Sequence, residues 1–303
     1  MYKRQGRGRA VATAGEAASC RTTAPLALSD LLASVPREPW IEERELPRQP
    51  TLFQIVGGTD NLAKAFATRL GRQITYDAPV REILPSPDRV KVIYGGPDRP
   101  RIAEADYCIC TLPVPILKGL AGTLSPRVRS AVAAARYGTA GKIGLQFRRR
   151  FWEEEDRIYG GITRTDPPCL QIWYPSHGFF APKGVLVGYY TFDDMARALG
   201  EASPGEREER ALEHGARVHG KRYREEFECG YSVAWERVPY SLGAWGQGDV
   251  PELREPDGRL FFAGADLTAL NGWMAGAFES ARGAARAVHE RVQIERKPEG
   301  GVT

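Results

Sequence analysis

The sequence has few cysteines and histidines, no long apolar run, and no strong excess of either charge. Five cysteines and four histidines occur in 303 residues, without the spacing of a disulfide framework or a metal site. His214 and His219, five apart on a charged helix, are expected on a solvated face. The formal net charge of +4 is small and the charges are interspersed, so nothing indicates a nucleic-acid track. No apolar run reaches the ~18 residues of a membrane span.

A strand, a glycine and a helix rich in small residues follow one another between positions 258 and 288. The apolar run Leu260-Phe261-Phe262-Ala263 predicts a short strand that leads directly into Gly264. After Gly272-Trp273-Met274 the pattern becomes helical, with small residues that allow close approach of another element or a flat ligand. Asp266 makes a dinucleotide contact plausible. On periodicity alone, an ordinary packed strand–loop–helix explains the same residues.

In order and spacing, this stretch resembles the C-terminal FAD-contacting segment of the flavin amine oxidases, the family of monoamine oxidases and many L-amino-acid oxidases. The matching residues are Phe262-Ala263-Gly264, Asp266, Gly272-Trp273-Met274 and Gly276-Ala277. The resemblance covers about residues 26–292. It implies an α/β (mixed α+β) class: the FAD-linked amine oxidase fold lacking its N-terminal Rossmann βαβ unit, with a mixed-sheet substrate domain.

The resemblance also divides the chain into alternating parts of two domains. Residues 51–128 and 237–292 are expected to build the FAD-binding domain, and residues 129–236 the substrate-binding domain. Residues 1–50 are expected to be a tail and a remnant of the substrate domain, and residues 293–303 a second tail.

Periodicity and turn signals predict the elements that connect these motifs. Strands are expected at residues 52–56, 73–76, 90–94, 105–111, 159–162, 170–174, 185–190 and 231–235. Helices are expected at residues 26–35, 62–70, 126–135, 193–200 and 204–227. The strands at 90–94 and 105–111 should form a small antiparallel meander, and residues 36–50 a surface loop.

Three residues are candidates for the chemistry. Lys142 enters an apolar strand, which on pattern alone indicates an edge or snorkelling lysine. In the family, a lysine at this place holds the water beside flavin N5. Trp245 and Trp273 occupy two positions that are usually aromatic in the family and face each other in front of the flavin ring. The substrate amine would pass between them; without the resemblance they would be core tryptophans.

The resemblance implies FAD as the cofactor and nominates the residues that bind it: Val80, Trp235, Gly264, Asp266, Gly272, Trp273, Met274 and Ala277. Val80 follows Pro79 in a segment whose backbone meets the adenine ring in the family, although Pro79 would also suit an edge strand. Asp266 would bind ribityl or phosphate-linked hydroxyls, and the Met274 amide the flavin pyrimidine edge. Ala244 stands where covalent members carry the attaching cysteine, so noncovalent FAD is expected.

The reaction that the resemblance implies is FAD-dependent oxidation of a primary amine or L-amino acid to the imine, with O2 reduced to H2O2. The partners would be the small-molecule amine or amino acid and O2. An amino-acid carboxylate needs a cation, and Arg136 and Arg164 are weak candidates. Two other classes stay open: a same-fold flavoprotein that oxidises C–C bonds, such as a desaturase or porphyrinogen oxidase, and a non-catalytic subunit that needs a separate FAD-binding chain.

The G-x-G-x-x-G fingerprint that opens the family's fold is missing from the sequence, and neither Gly57-Gly58 nor Gly6-Arg7-Gly8 fits it. The first residues, MYKRQ, match the translated end of a sequencing-library adapter, so a truncated gene is expected, with a basic tail as the alternative. The fragment alone should bind FAD weakly and be inactive. The default location is cytoplasmic, although truncation would remove an export signal. A homodimer is an option for the full-length protein.

Overall fold

The computed structural model of the protein describes residues 7–10, 21–25, 55–165, 168–247 and 250–296. The chain divides into two units, Met1–Tyr76 and Asp77–Thr303. The predicted helix at 26–35, the loop at 36–50 and the first three residues of the strand at 52–56 lie outside the described residues. The last two residues of that strand, Ile55 and Val56, are not in a strand.

The first unit contains a strand pair and a helix among its described residues. β1 (Arg7–Ala10) pairs antiparallel with β2 (Arg21–Pro25). The helix α1 (Asp60–Leu70) confirms the prediction at 62–70 and ends at Gly71, whose φ of +50° costs a glycine little. The predicted strand at 73–76 is wrong: a 3-10 turn precedes it, and its residues pair with no strand in the described part of this unit.

The second unit contains runs of strands and runs of helices, in agreement with the predicted mixed class. Its strands are β3 (Val80–Pro85), β4 (Val90–Tyr94), β5 (Arg101–Ala105), β6 (Cys108–Cys110), β7 (Arg136–Gly138), β8 (Ala140–Phe147), β9 (Gly161–Arg164), β10 (Gln171–Tyr174), β11 (Gly184–Phe192), β12 (Phe227–Ala234), β13 (Trp245–Gln247) and β14 (Leu260–Phe262). Its helices are α2 (Val114–Leu120), α3 (Pro126–Ala134), α4 (Phe151–Glu154), α5 (Asp193–Glu201), α6 (Pro204–His219), α7 (Arg222–Glu225) and α8 (Met274–Arg296). Within the described ranges, no helix combines the length and apolar composition needed to cross a bilayer.

Five strands form the largest sheet, in the order β12-β8-β11-β10-β9. Every pairing between these strands is antiparallel, so the mixed sheet that was expected here is wrong in its strand directions. The loops that join β9 to β10 and β10 to β11 are short, and short loops can join only antiparallel neighbours.

The interior strand β8 shows why this sheet has one dry face. Its residues Ile143, Leu145 and Phe147 alternate toward that face and are almost completely buried. Helices α5 and α6 pack against the same sheet. We call the residues buried there the sheet core: Ile143, Leu145, Phe147, Phe151, Trp152, Cys169, Ile172, Tyr174, Leu186, Tyr189, Leu199, Ala211, Leu212 and Tyr223.

Helix α6 is shorter than predicted. It starts with a capping box, in which Ser203 Oγ accepts from the Glu206 amide and Glu206 Oε2 accepts from the Ser203 amide. It ends at Gly220, whose φ of +75° closes the helix. The predicted helix at 204–227 is therefore wrong as one element, since the short helix α7 (Arg222–Glu225) follows the break. β12 begins at Phe227, earlier than the strand predicted at 231–235.

His219, at the end of α6, does not lie on a solvated face. Its ring is buried, with Nδ1 2.9 Å from Asp156 Oδ2 and Nε2 2.8 Å from the Tyr174 hydroxyl. The ring also stacks on Tyr223 at a centroid distance of 5.5 Å. The solvated-face prediction is wrong for His219, because the helix turns this position toward the sheet and supplies both ring nitrogens with partners.

Outside the five-stranded sheet, the second unit contains a three-stranded meander, β3-β4-β5, and a parallel pair of strands, β6 and β14. The predicted strand at 105–111 is therefore wrong as one element. Residue Ala105 ends β5 in the meander, and Cys108–Cys110 leaves it to pair in parallel with Leu260–Phe262. The sequence shows one apolar run here, and the run does not indicate that its two halves pair with different strands.

The residues buried between these elements form what we call the split core: Ile83, Val90, Cys110, Val114, Leu117, Leu124, Val128, Ala131, Val132, Ala135, Val250, Leu253, Leu260 and Phe262. Helix α3 contributes to it and confirms the prediction at 126–135; Ser125 caps its first turn. An open groove of about 630 Å³ lies beside this core, between β14 and α8. Phe262, Ser280 and Ile294 are among the residues that line this groove.

Candidate functional site

A concave cavity of about 470 Å³ lies at one end of the five-stranded sheet. It is lined by Pro113, Tyr137, Ala140, Lys142, Tyr190, Trp235, Ser241, Gly243, Ala244, Trp245 and Gly272. Four of these side chains are aromatic and one, Lys142, carries a charge. A concave cavity walled by aromatic rings, with one convergent charged group, is a usual form of a small-molecule site.

Lys142 reaches the cavity from the wet face of β8. It lies opposite Tyr190 of β11 and Val233 of β12 in the antiparallel register. Its neighbours in the strand, Gly141 and Ile143, are buried on the other face. The side chain is open to the cavity, yet the surrounding protein lowers the pKa of its ammonium group by desolvation.

An arc of aromatic rings continues from Lys142 around the wall. The Lys142 Nζ lies 4.2 Å from the centroid of the Tyr190 ring. The Tyr190 ring contacts Phe192 at 4.5 Å, and Phe192 contacts Trp245 at 5.9 Å. The arc therefore joins β8 and β11 of the sheet to β13, which lies outside it.

The loop before β13 forms the floor of the cavity with a close backbone approach. A Cβ at Gly243, whose φ is +153°, would lie 2.4 Å from a ring carbon of Tyr137, so only glycine fits there. The Ala244 amide donates to the Gly138 carbonyl at 2.9 Å, which brings Ala244 into the lining. Burial raises the pKa of Tyr137 to about 12, so this hydroxyl stays protonated.

Asp266 follows β14 and faces the backbone of β13. Its Oδ1 accepts from the Gly246 amide at 2.9 Å, and burial raises the pKa of its carboxyl. Asp266 is absent from the residues that line the cavity. The Gly264 amide, just before it, donates to Ser280 Oγ of α8 at 3.0 Å. The expected contact of Asp266 with ribityl or phosphate-linked hydroxyls stays a prediction.

The N-terminus of α8 offers polar groups beside the cavity. No acceptor for the amides of Met274 and Ala275 occurs among the described residues. The Asn271 Oδ1 is buried without a hydrogen-bond partner in this part of the chain, while its Nδ2 donates to the Gly246 carbonyl at 2.6 Å. Gly272 has a φ of +77° and packs on Trp245. Free amides at a helix start and an orphaned amide oxygen suit the polar edge of a flat ring such as flavin.

The structure brings together only part of the predicted set. Lys142, Trp235, Trp245 and Gly272 line the cavity, whereas Val80 begins β3 and packs against the split core. The other predicted residues lie at the turn after β14 or at the start of α8: Gly264, Asp266, Trp273, Met274 and Ala277.

Two predicted arrangements are not formed as direct contacts. Among the described residues, no ring contact joins Trp245 and Trp273, so the substrate-flanking pair stays a prediction. Arg136 and Arg164 do not line the cavity; Arg136 is exposed on β7 opposite Gln247, and Arg164 is exposed on β9. The structure therefore gives neither arginine a role as the carboxylate-binding cation.

Tyr190 is the site residue that sequence reasoning missed. It stands next to Tyr189 in an apolar strand, and the sequence does not show which of the two faces the cavity. An irregularity in the β8–β11 ladder between Val187 and Tyr189 decides the question, since one extra residue reverses the facing of every later side chain. Tyr189 is buried in the sheet core, and Tyr190 points into the cavity.

Comparison with known proteins places this cavity in a family. The family model described as flavin containing amine oxidoreductase matches residues 23–289. An L-amino-acid oxidase of Siganus canaliculatus is 34% identical over 254 residues, which cover 80% of this chain and 48% of that protein. The flavin-dependent L-tryptophan oxidase of Lentzea aerocolonigenes is 31% identical, with 79% of this chain and 53% of that protein covered. The chain thus spans about half the length of the curated relatives it matches.

Solved structures show the same fold. A mutant of putrescine oxidase superposes with a TM-score of 0.68 and 22% identity over 78% of this chain and 53% of that one. Cyclohexylamine oxidase from Brevibacterium oxydans gives a TM-score of 0.65 at 18% identity over the same shares. These likenesses confirm the predicted amine oxidase fold. The family match covers most of the chain, and the chain belongs to the family of flavin-containing amine oxidoreductases.

Proposed function

We propose that these residues form the substrate side of an enzyme that oxidises a primary amine or L-amino acid to the imine, with FAD as the cofactor and O2 reduced to H2O2. The observation that carries the proposal is a single lysine, Lys142, in an aromatic cavity that Gly272, two residues before α8, also lines. The curated relatives named L-amino-acid oxidase and L-tryptophan oxidase support the same reaction class.

Each part of the cavity has a role in this proposal. FAD, when bound, supplies the two-electron acceptor for the C–N bond. The amides of Met274 and Ala275 would hold its polar edge. Lys142 would hold a water molecule at the ring, and desolvation lowers the pKa of its ammonium group. The aromatic wall would exclude bulk water and orient an uncharged amine.

The charges of the wall favour some amines over others. The described lining contains one cation and no carboxylate. A diamine that keeps a second ammonium group would be repelled by Lys142 and would find no counter-charge there. We therefore propose a substrate with one reacting amine and an apolar or anionic remainder, such as a monoamine or an L-amino acid.

The cofactor is proposed to be noncovalent, because Ala244 offers no thiol in the cavity wall. Stable FAD binding is proposed to require a phosphate-binding segment in addition to these residues, since the sequence has no G-x-G-x-x-G. The chain purified alone should be nearly colourless. In the flavin-loaded protein, acid or heat should release the FAD into the supernatant.

The deciding experiment is Lys142→Met in the flavin-loaded protein. Flavin reduction by an L-amino acid or amine, and reoxidation by O2, are followed separately by anaerobic stopped flow. At least one half-reaction should slow by ~10²-fold, the usual scale for removing one positioned catalytic group. Lys183→Met is the matched control, because Lys183 is exposed and pairs with Glu228 away from the cavity. Peroxide release is measured alongside.

Equal rates for Lys142→Met and Lys183→Met would overturn the proposed role of Lys142. If, in addition, no amine reduces the flavin, the amine oxidase proposal fails as a whole, and oxidation of C–C bonds becomes the better description.

A further inference from the structure

The contact between Lys142 and Tyr190 is built into the sheet. The two residues are register partners on adjacent strands and face the same side. The Lys142 Nζ lies 4.2 Å from the centre of the Tyr190 ring, within the distance at which a ring face attracts a cation. The ring itself is held between Phe192 at 4.5 Å and Trp173 at 5.9 Å. Its plane is therefore set by packing on two sides.

The ammonium group has few other sources of stabilisation. Among the described residues no carboxylate forms an ion pair with Lys142. Two acids of this part of the fold have other partners. Asp266 Oδ1 accepts from the Gly246 amide, Asp193 Oδ1 accepts from Gln247 Nε2, and the Asp193 amide donates to the Thr139 carbonyl. The Glu236 carboxylate lies beside Gly200, buried and without a hydrogen-bond partner among the described residues. The remaining titratable groups of the cavity wall are the phenols of Tyr137 and Tyr190.

We propose that the Tyr190 ring is the positioning residue for Lys142: its face holds the ammonium group in the cavity and keeps it protonated at higher pH than the cavity alone would. Desolvation and the ring act in opposite directions, since burial disfavours the charged amine and the ring quadrupole favours it. The consequence for oxidation rests on the proposed function, whereas the Lys142–Tyr190 interaction does not.

The test measures the pKa of Lys142 without flavin or substrate. The full 303-residue chain is labelled with trace acetic anhydride over a series of pH values, and acetylation of Lys142 is read by peptide mass spectrometry. Lys183 serves as the internal reference for reagent decay. The variants are Tyr190→Leu, which keeps apolar volume and removes the ring, and Tyr190→Phe, which keeps the ring and removes the hydroxyl. Tyr231→Leu, at a highly exposed tyrosine of β12, is the matched control.

Tyr190→Leu should lower the pKa of Lys142 by about 0.5–1.5, which corresponds to the usual strength of a cation–π contact. Tyr190→Phe should stay within about 0.3 of the parent, and Tyr231→Leu should not change it. An unchanged pKa in Tyr190→Leu overturns the proposal, and an equal drop in Tyr190→Phe does so by assigning the effect to the hydroxyl.

Circular dichroism shows which variants fold. If Tyr190→Leu does not fold, Tyr190→Trp decides, because indole is the strongest cation–π partner: a pKa equal to the parent or higher supports the proposal, and a lower pKa overturns it. These outcomes are independent of the flavin kinetics. Slow half-reactions in Lys142→Met with an unchanged Lys142 pKa in Tyr190→Leu would support the proposed oxidase and overturn the positioning role of Tyr190. Normal half-reactions in Lys142→Met with a lowered Lys142 pKa in Tyr190→Leu would support the positioning role and overturn the catalytic role of Lys142.

Discussion

Among the described residues, the sheet core and the split core each contain 14 buried residues, but they are made of different side chains and from different stretches of chain. The sheet core has six aromatic residues and comes from one continuous stretch, residues 143–223. The split core has a single aromatic residue, Phe262, and joins residues 83–135 to residues 250–262. One core is therefore local and aromatic, and the other is aliphatic and depends on two distant segments.

The difference shows in what each region leaves uncovered. Around the sheet core, α5 and α6 close the dry face of the strands. Beside the split core, the groove stays open, and α8 exposes Met274, Phe278 and Ile294. The cavity lies where the two regions meet: Lys142 and Tyr190 come from the sheet, and Gly272 comes from the loop before α8. The enclosed region thus carries Lys142, which is proposed to be catalytic, and the less enclosed region carries the groups proposed for FAD.

The largest expected effect compares one phenylalanine from each core. Phe147 has no exposed surface and contacts Phe151, Trp152 and Tyr223 at 4.9–5.7 Å. Phe147→Ala should lower the free energy of unfolding by about 3–5 kcal/mol, because it leaves a cavity that the rings cannot fill. Phe262→Ala should cost about half as much, since Phe262 borders the open groove and already has a free side. Urea unfolding at pH 7 measures both.

The control for this pair is Ile294→Ala, at a side chain of α8 that is 69% exposed. It should change the unfolding free energy by less than about 0.5 kcal/mol. Equal losses in the two phenylalanine variants would contradict the comparison, because the split core would then be as tightly enclosed as the sheet core.

A second, smaller effect is confined to the sheet core and depends on pH. Burial lowers the pKa of His219 below its ordinary value of 6.5, so the unfolded chain binds this proton more readily than the folded one. The stabilisation is complete above pH 6.5 and is lost as the pH falls from there toward the lowered pKa. One such group contributes a slope of at most about 1.4 kcal/mol per pH unit. His219→Gln should flatten this part of the curve of unfolding free energy against pH.

His289→Gln is the matched control for the pH series, because His289 lies exposed on α8. It should leave the slope between pH 7 and pH 5 unchanged relative to the parent. If the unfolding free energy of His219→Gln keeps the parent's slope against pH, carboxylates elsewhere cause the acid sensitivity. The sheet core would then not be the pH-sensitive region.

The smallest expected effect tests whether local contacts also differ between the regions. Ser203 caps α6 over the sheet core, and Ser125 caps α3 beside the split core, with bonds of 3.3 and 3.4 Å to the helix amides. Ser203→Ala and Ser125→Ala should each cost about 1 kcal/mol, since a cap depends only on its own helix turn. Thermal unfolding compares them. A difference of more than about 1 kcal/mol would mean that the caps report on the surrounding core as well.

The elements that local signals define were predictable from the sequence. α1, α3 and α5 were predicted to within two residues, because their starts follow cap residues or strand ends and their apolar spacing is regular. The strand at 105–111 was wrong, because its second half pairs with a segment near the end of the chain. The helix at 204–227 was too long, because Gly220 in a charged run gives only a weak stop signal.

The candidate site was predictable in part for a similar reason. Motifs of the family identified Lys142, Trp245 and Gly272, and the structure places all three on one cavity. Tyr190 was not identified, because its facing depends on a ladder irregularity at Gly188, and a glycine inside a strand is only a weak signal of a bulge. The hydrogen bond from the Gly246 amide to Asp266 also depends on strand partners that are far apart in sequence. No local sequence pattern predicts it.

The parallel pairing of β6 with β14 has a consequence for how the chain folds as it is made. At ~5–20 residues per second, the ribosome needs ~10 s or more to add the roughly 150 residues between the two strands. The sheet core can form in that interval, because its strands and helices are all present once β12 has emerged. Until β14 has been made, β6 lacks this strand partner, and Cys110 and its aliphatic neighbours stay uncovered. The split core is thus the late-folding and aggregation-exposed part of the chain, and the cavity takes its final shape only when the C-terminal strand arrives.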